Sequence, residues 1–77
     1  MSKRFEIFGR VQGVGFRAYS RGLALDLNLE IEVWNRADGA VEAIVRGEDS
    51  ALDTFETRLW QGPGRVDRVT ANLEPVS

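Results

Sequence analysis

The 77 residues predict an α+β fold: two helices packed on one face of a mostly antiparallel four-stranded sheet. Three observations carry this. Four runs alternate apolar and polar residues, the mark of a strand with one buried face. Two other runs place apolar residues at helical spacing. Between the second and third alternating runs lies Asp38-Gly39, a dipeptide that favours a tight hairpin turn.

Phe5, Ile7 and Val11 alternate with Arg4, Glu6 and Arg10, which predicts a first strand over about residues 3–10. Phe16, Tyr19, Leu23 and Leu27, with Ala24 beside them, form a helical stripe and predict a first helix over about 16–27, weakened slightly by Gly22. Core packing is the role these spacings give Phe16 and Tyr19. Leu29, Ile31 and Val33 share one face of a second strand that ends at Asn35, while Glu30, Glu32 and Trp34 share the other. Val41, Ala43 and Val45 line the buried face of a third strand, opposite Glu42, Ile44 and Arg46. Asp49 or Ser50 is a natural N-cap for a second helix whose stripe is Leu52, Phe55 and Leu59 and which Gly62-Pro63 stop. Val66, Val69, Ala71 and Leu73 fit a last strand with an irregular start. The resulting order, βαββαβ, is the ferredoxin-like arrangement, which hosts many functions and so does not select one.

Composition narrows the field. The length suits one domain, 1–77. There is no Cys and no His, which excludes disulfides and the usual zinc sites. No apolar run of signal-peptide type follows Met1-Ser2-Lys3-Arg4, and none approaches a membrane span. No membrane partner and a cytoplasmic location are therefore the expectation. A net charge of −2 argues against a general nucleic-acid binder, although nine of the ten basic residues are Arg. An RNA-recognition module shares the element order, but it stacks bases on aromatics of its central strands, and residues 40–46 contain none.

The most informative stretch joins the first strand to the first helix: Gly9-Arg10-Val11-Gln12-Gly13-Val14-Gly15-Phe16-Arg17. Glycine lets successive backbone N–H groups converge on one point, and a helix N-terminus adds the positive end of its dipole. Arg17 falls in the first helical turn, where a planar guanidinium can grip two oxygens of a phosphate or carboxylate. The glycines do not have Walker spacing, and no Lys-Ser/Thr pair follows. A dinucleotide fingerprint fails too, because Ala18 stands where its third glycine belongs.

The string GRVQGVGFR closely resembles the signature of the acylphosphatase family, small enzymes that hydrolyse the carboxyl–phosphate bond of acyl phosphates. Val33-Trp34-Asn35-Arg36-Ala37-Asp38-Gly39-Ala40-Val41-Glu42 resembles the family's second motif, an apolar strand ending in Asn before an Asp-Gly turn. Gly47-Glu48 and Gly62-Pro63 extend the likeness over nearly the whole chain. The resemblance implies that Arg17 binds the phosphoryl group together with backbone N–H groups of Gln12, Gly13, Val14, Gly15 and Phe16. It also implies that Asn35 orients the attacking water, with no metal, cofactor or covalent intermediate. The implied partners are a small acyl phosphate and inorganic phosphate, and the expected state is a monomer.

The residues suit that chemistry. A carboxylate leaving group needs little protonation, so a chain without His or Cys can serve if it neutralises phosphoryl oxygens and positions water. An amide such as that of Asn35 offers both an acceptor and donors, whereas an aspartate would repel the phosphate. The chain also departs from the family's pattern. Trp34 stands where a basic residue commonly precedes the Asn, and Glu32 adds negative charge on that strand; both are expected to weaken attraction for a doubly charged substrate. The sequence ends at Ser77, before the short final strand many relatives carry, so a less covered sheet edge is expected. A weakly active or inactive anion-binding module is the alternative. A third reading is the acylphosphatase-like domain of a larger hydrogenase-maturation carbamoyltransferase, where Pro commonly follows the motif's Arg; here Ala18 follows.

Overall fold

Alternation and helical spacing resolve into the elements they predict. The structure is a computed structural model that describes residues 1–75, and its order is β1 (Ser2–Arg10), α1 (Phe16–Asp26), β2 (Glu30–Asn35), β3 (Val41–Arg46), α2 (Asp49–Leu59) and β4 (Arg65–Leu73). The sheet order is β2-β3-β1-β4, and every neighbouring pair is antiparallel. β1 and β2 therefore run in the same direction with β3 between them. The registers Ile7↔Val41 and Asn35↔Val41 bring the ends of β1 and β2 to the same end of the sheet. That end is where the glycine-rich loop enters α1.

Phe5 and Ile7 of β1 and Val41, Ala43 and Val45 of β3 are fully buried under the helices, because these central strands are covered on both edges. Leu52, Phe55 and Leu59 of α2 close over them, each burial contributing about 1.5–3 kcal/mol. The Phe5 and Phe55 rings meet at 5.2 Å with a 55° tilt, an arrangement aromatic quadrupoles favour. Phe16, Leu23 and Ala24 of α1 complete the core. Tyr19 is only partly buried and uses its polar end, its hydroxyl donating to the Arg58 carbonyl at 2.8 Å.

The opposite sheet face is solvated and carries ion pairs, as antiparallel sheets permit. Arg4 donates to Glu42 and Glu74, and Arg36 to Glu6 and Asp38. The Arg68 guanidinium lies 4.3 Å from the centre of the Phe8 ring.

Two expectations need correction, and a third, the irregular start of β4, takes a definite form. The N-cap of α2 is Glu48, which makes no side-chain capping bond; Asp49 sits in the first turn instead, where its charge faces the helix dipole. Leu73 is 68% exposed, because it lies at the end of β4, which among the described residues is an edge strand paired with β1 alone. The irregular start of β4 is a register shift opposite Phe8 and Gly9. The expectation attached to Ser77 lies outside the described residues.

Candidate functional site

The loop between β1 and α1 is a run of turns that delivers the chain to the helix in a left-handed conformation. Gly13 has φ 75° and Gly15, the N-cap of α1, φ 86°. Both angles are unfavourable for a residue with a Cβ. Gly15 also has no side chain to cap the helix, and the first helical N–H to donate backward is that of Tyr19, to the Gly15 carbonyl at 3.0 Å. The N–H groups of Phe16, Arg17 and Ala18 are thus left as orphan donors at the positive end of the dipole. No acidic side chain occupies the first turn to satisfy them.

Gly13, Gly15, Phe16, Arg17 and Asn35 line one open concavity of about 190 Å³. Five of the seven residues singled out in the sequence are thereby brought together from two distant parts of the chain. The Arg17 guanidinium is exposed and has neither an ion-pair nor a hydrogen-bond partner among the described residues. Asn35 is exposed at the end of β2, and its amide makes no side-chain hydrogen bond among the described residues. Phe16 contributes backbone rather than side chain, because its ring is buried in the core.

The other two residues lie differently. Val14 packs against the core. Gln12 turns its side chain away from the concavity, and its Nε2 donates to the carbonyls of Arg36 at 2.7 Å and Ala40 at 2.9 Å. These two carbonyls close the β2–β3 hairpin, in which the Arg36 N–H also donates to the Ala40 carbonyl at 2.8 Å. Gln12 is a tie between the loop and the strand end that carries Asn35.

Arg21 also lines the concavity, one helical turn beyond Arg17, and sequence reasoning missed it. The i, i+4 spacing was the available signal, but a charged residue on an exposed helix face ordinarily reads as solvation.

The two departures in β2 have little reach into the concavity. Glu32 lies on the other sheet face, in a separate depression with Glu30 and Arg46. Trp34 faces the same side, opposite Glu42. Arg36, the basic residue next to Asn35, is committed to Glu6 and Asp38, and those bonds raise its pKa further above the ordinary value. Among the described residues, no three His, Cys, Asp or Glu side chains cluster as a candidate metal site. The concavity offers two guanidinium groups, three orphan helix N–H groups and one neutral amide. Such a set can hold a doubly charged phosphoryl group and still present a polar group to water.

Comparison with known proteins gives the family and the fold. Residues 3–76 match the family model described as Acylphosphatase. An acylphosphatase of Nitratidesulfovibrio vulgaris (strain DP4) is 45% identical over 75 residues, 95% of this chain and 75% of that protein. The fold is similar to the structure of an acylphosphatase from Coxiella burnetii, with a TM-score of 0.92 and 32% identity over 99% of this chain and 82% of the other. The crystal structure of acylphosphatase from Bacillus subtilis is similar at a TM-score of 0.90 and 34% identity, over 92% of this chain and 81% of that one.

Proposed function

The chain belongs to the acylphosphatase family, and from that premise we propose how its own residues perform the family's reaction. The protein is an enzyme that hydrolyses the carboxyl–phosphate bond of acyl phosphates. In our reading, the phosphoryl group sits on the N–H groups of the Gln12–Phe16 loop and of the first turn of α1, and Arg17 grips two of its oxygens. Asn35 accepts a hydrogen bond from one water and aims it at phosphorus. The water oxygen forms the new P–O bond as the bond to the acyl oxygen breaks. A carboxylate leaves with the bonding pair, inorganic phosphate remains, and the released proton passes to solvent.

The observation that supports this assignment is the meeting of Gly13, Gly15, Arg17 and Asn35 around one concavity. Catalysis of this kind rests on preorganised charge and on positioning, which a small site without an acid of tuned pKa can supply. Neither a metal nor a cofactor is needed. We also propose a single domain over residues 1–77 that acts as a monomer, since every residue assigned a role comes from one chain, and that works in the cytoplasm. No helix of the described residues is long and apolar enough to cross a membrane.

Release of phosphate from acetyl or benzoyl phosphate, measured with and without EDTA, tests the reading. Turnover that survives the chelator and is competitively inhibited by inorganic phosphate is the expected result. Phosphate binding with no turnover would replace the enzyme reading by that of an anion-binding module, and loss of activity in EDTA would overturn the metal-free mechanism.

A further inference from the structure

Arg21 lines the same concavity as Arg17 and Asn35, yet the proposed mechanism gives the phosphoryl group to the loop and Arg17 alone. Its surroundings give it no other partner. Helical neighbours that could pair with Arg21 lie three or four residues away; they are Arg17, Ala18, Ala24 and Leu25, and none is acidic. No carboxylate lines the concavity, and Arg21 has no ion pair or hydrogen bond among the described residues. A chain of net charge −2 therefore holds two unpaired guanidinium groups over one small hollow. Like charges at i, i+4 destabilise a helix, so the pair has a local cost that an anion would relieve.

Position sets which part of a substrate Arg21 meets. Arg17 stands at the loop, and Arg21 lies about 6 Å farther along the helix axis, away from the orphan N–H groups. Arg21 lines the same concavity, so an acyl part that lies within it, with its phosphoryl group at the loop, comes within reach of Arg21. Resting on the hydrolase reading given above, we infer that Arg21 is a specificity-determining residue that contacts a second anionic group on the acyl part. The enzyme thereby favours acyl phosphates that carry such a group, as the monoacyl phosphate of a dicarboxylic acid does.

Succinyl phosphate and butanoyl phosphate test this, because they share a four-carbon chain and differ in the terminal carboxylate. The unsubstituted protein is expected to show a higher kcat/KM for succinyl phosphate, by roughly fivefold to tenfold for an exposed charge-assisted contact. Arg21→Gln should bring the ratio to one or below, chiefly through KM for succinyl phosphate, and Arg21→Lys should keep part of the preference. Arg21 is exposed in mid-helix and Gln is a good helix former, so folding is not at issue. Turnover of both substrates with no preference, or a preference that Arg21→Gln leaves intact, would overturn the inference while the hydrolase reading stands. An equal loss on both substrates with weaker inhibition by inorganic phosphate would make Arg21 a phosphoryl ligand and overturn it as well. No turnover of either substrate would remove the hydrolase reading, and this inference with it.

Discussion

Gln12 donates its side-chain amide to the carbonyl of Arg36, the residue immediately after Asn35, at 2.7 Å. A second bond from the same nitrogen reaches the Ala40 carbonyl at 2.9 Å. One side chain thus ties the glycine-rich loop to the end of β2, the two parts that act on one substrate in the proposed mechanism. Gln12→Ala removes both bonds. A loss of about 1–2 kcal/mol in stability to urea is expected, at roughly 1 kcal/mol per bond. The kcat should fall as well, because small misplacements are costly where catalysis is positioning. Gln12→Glu should be worse than Ala at neutral pH, since a carboxylate facing two carbonyls cannot donate. Wild-type kcat in both variants would show that the tie is structural only.

The outer sheet face gives a pH dependence whose sign follows from its ion pairs. A hydrogen bond from Arg36, then one from Thr70, holds the Glu6 carboxyl below its ordinary value of 4.5. Asp38 is lowered mainly by the Ala40 N–H and Glu74 mainly by Arg4. A depressed folded pKa means that the unfolded chain takes up protons first as pH falls. The stability these groups contribute is therefore fully present above about pH 4.5 and is lost as the pH drops through their lower folded values. Thermal unfolding followed by circular dichroism should show Glu6→Gln less stable than wild type at pH 7, with the gap closing in acid. A gap that widens in acid would contradict the assignment.

In the role proposed for it, Arg17 contacts charge that is present in the bound substrate and persists in the transition state. Its replacement should therefore weaken both phosphate inhibition and turnover. Arg17→Lys should not restore either, because an ammonium cannot reproduce the two parallel bonds of a guanidinium. A loss of about 3 kcal/mol in transition-state stabilisation, roughly a hundredfold in kcat/KM, is of the size a preorganised charged donor supplies. Arg17→Lys kinetics close to wild type would remove Arg17 from this role. Stability should hardly change, as the side chain is exposed and unpaired among the described residues.

Much of this molecule is legible in its sequence wherever one physical constraint dominates. Alternation in β1 and β3 names Phe5, Ile7, Val41, Ala43 and Val45 as core, and all five are buried, because central strands have no freedom to face elsewhere. Edge positions are less legible: Leu73 alternates correctly yet is exposed, since burial there depends on what covers the strand. In the candidate site, glycine spacing and the helix start single out Arg17, which lines the concavity. Gln12's tie to Arg36 could not be read, because the direction of a loop side chain depends on turn geometry that no periodicity encodes. Arg21 escaped for a different reason: only the convergence of α1 with the loop and β2 distinguishes it from an ordinary solvated arginine. Alternation along β2 already places Glu32 on the face opposite Asn35, and there it lies beside Glu30 and Arg46.

Asn35 should separate from Arg17 in kinetic behaviour. It carries no charge, so it contributes little to holding an anion, and the role proposed for it is to fix the attacking water. An interaction needed mainly in the transition state lowers kcat when removed and leaves ground-state binding nearly intact. Asn35→Ala should accordingly reduce kcat on the order of a hundredfold or more, while the inhibition constant for inorganic phosphate changes little. The protein should remain folded, because Asn35 is exposed at the end of β2 and its amide has no side-chain bond to lose among the described residues. Asn35→Asp should be poorer than Ala in phosphate binding, as its carboxylate would repel the anion across the concavity. Phosphate inhibition and kcat measured on the same preparations separate the possibilities. Should Asn35→Ala lose phosphate affinity while keeping kcat, Asn35 is an anion-binding residue, and the water must be held by another group at the mouth of the loop.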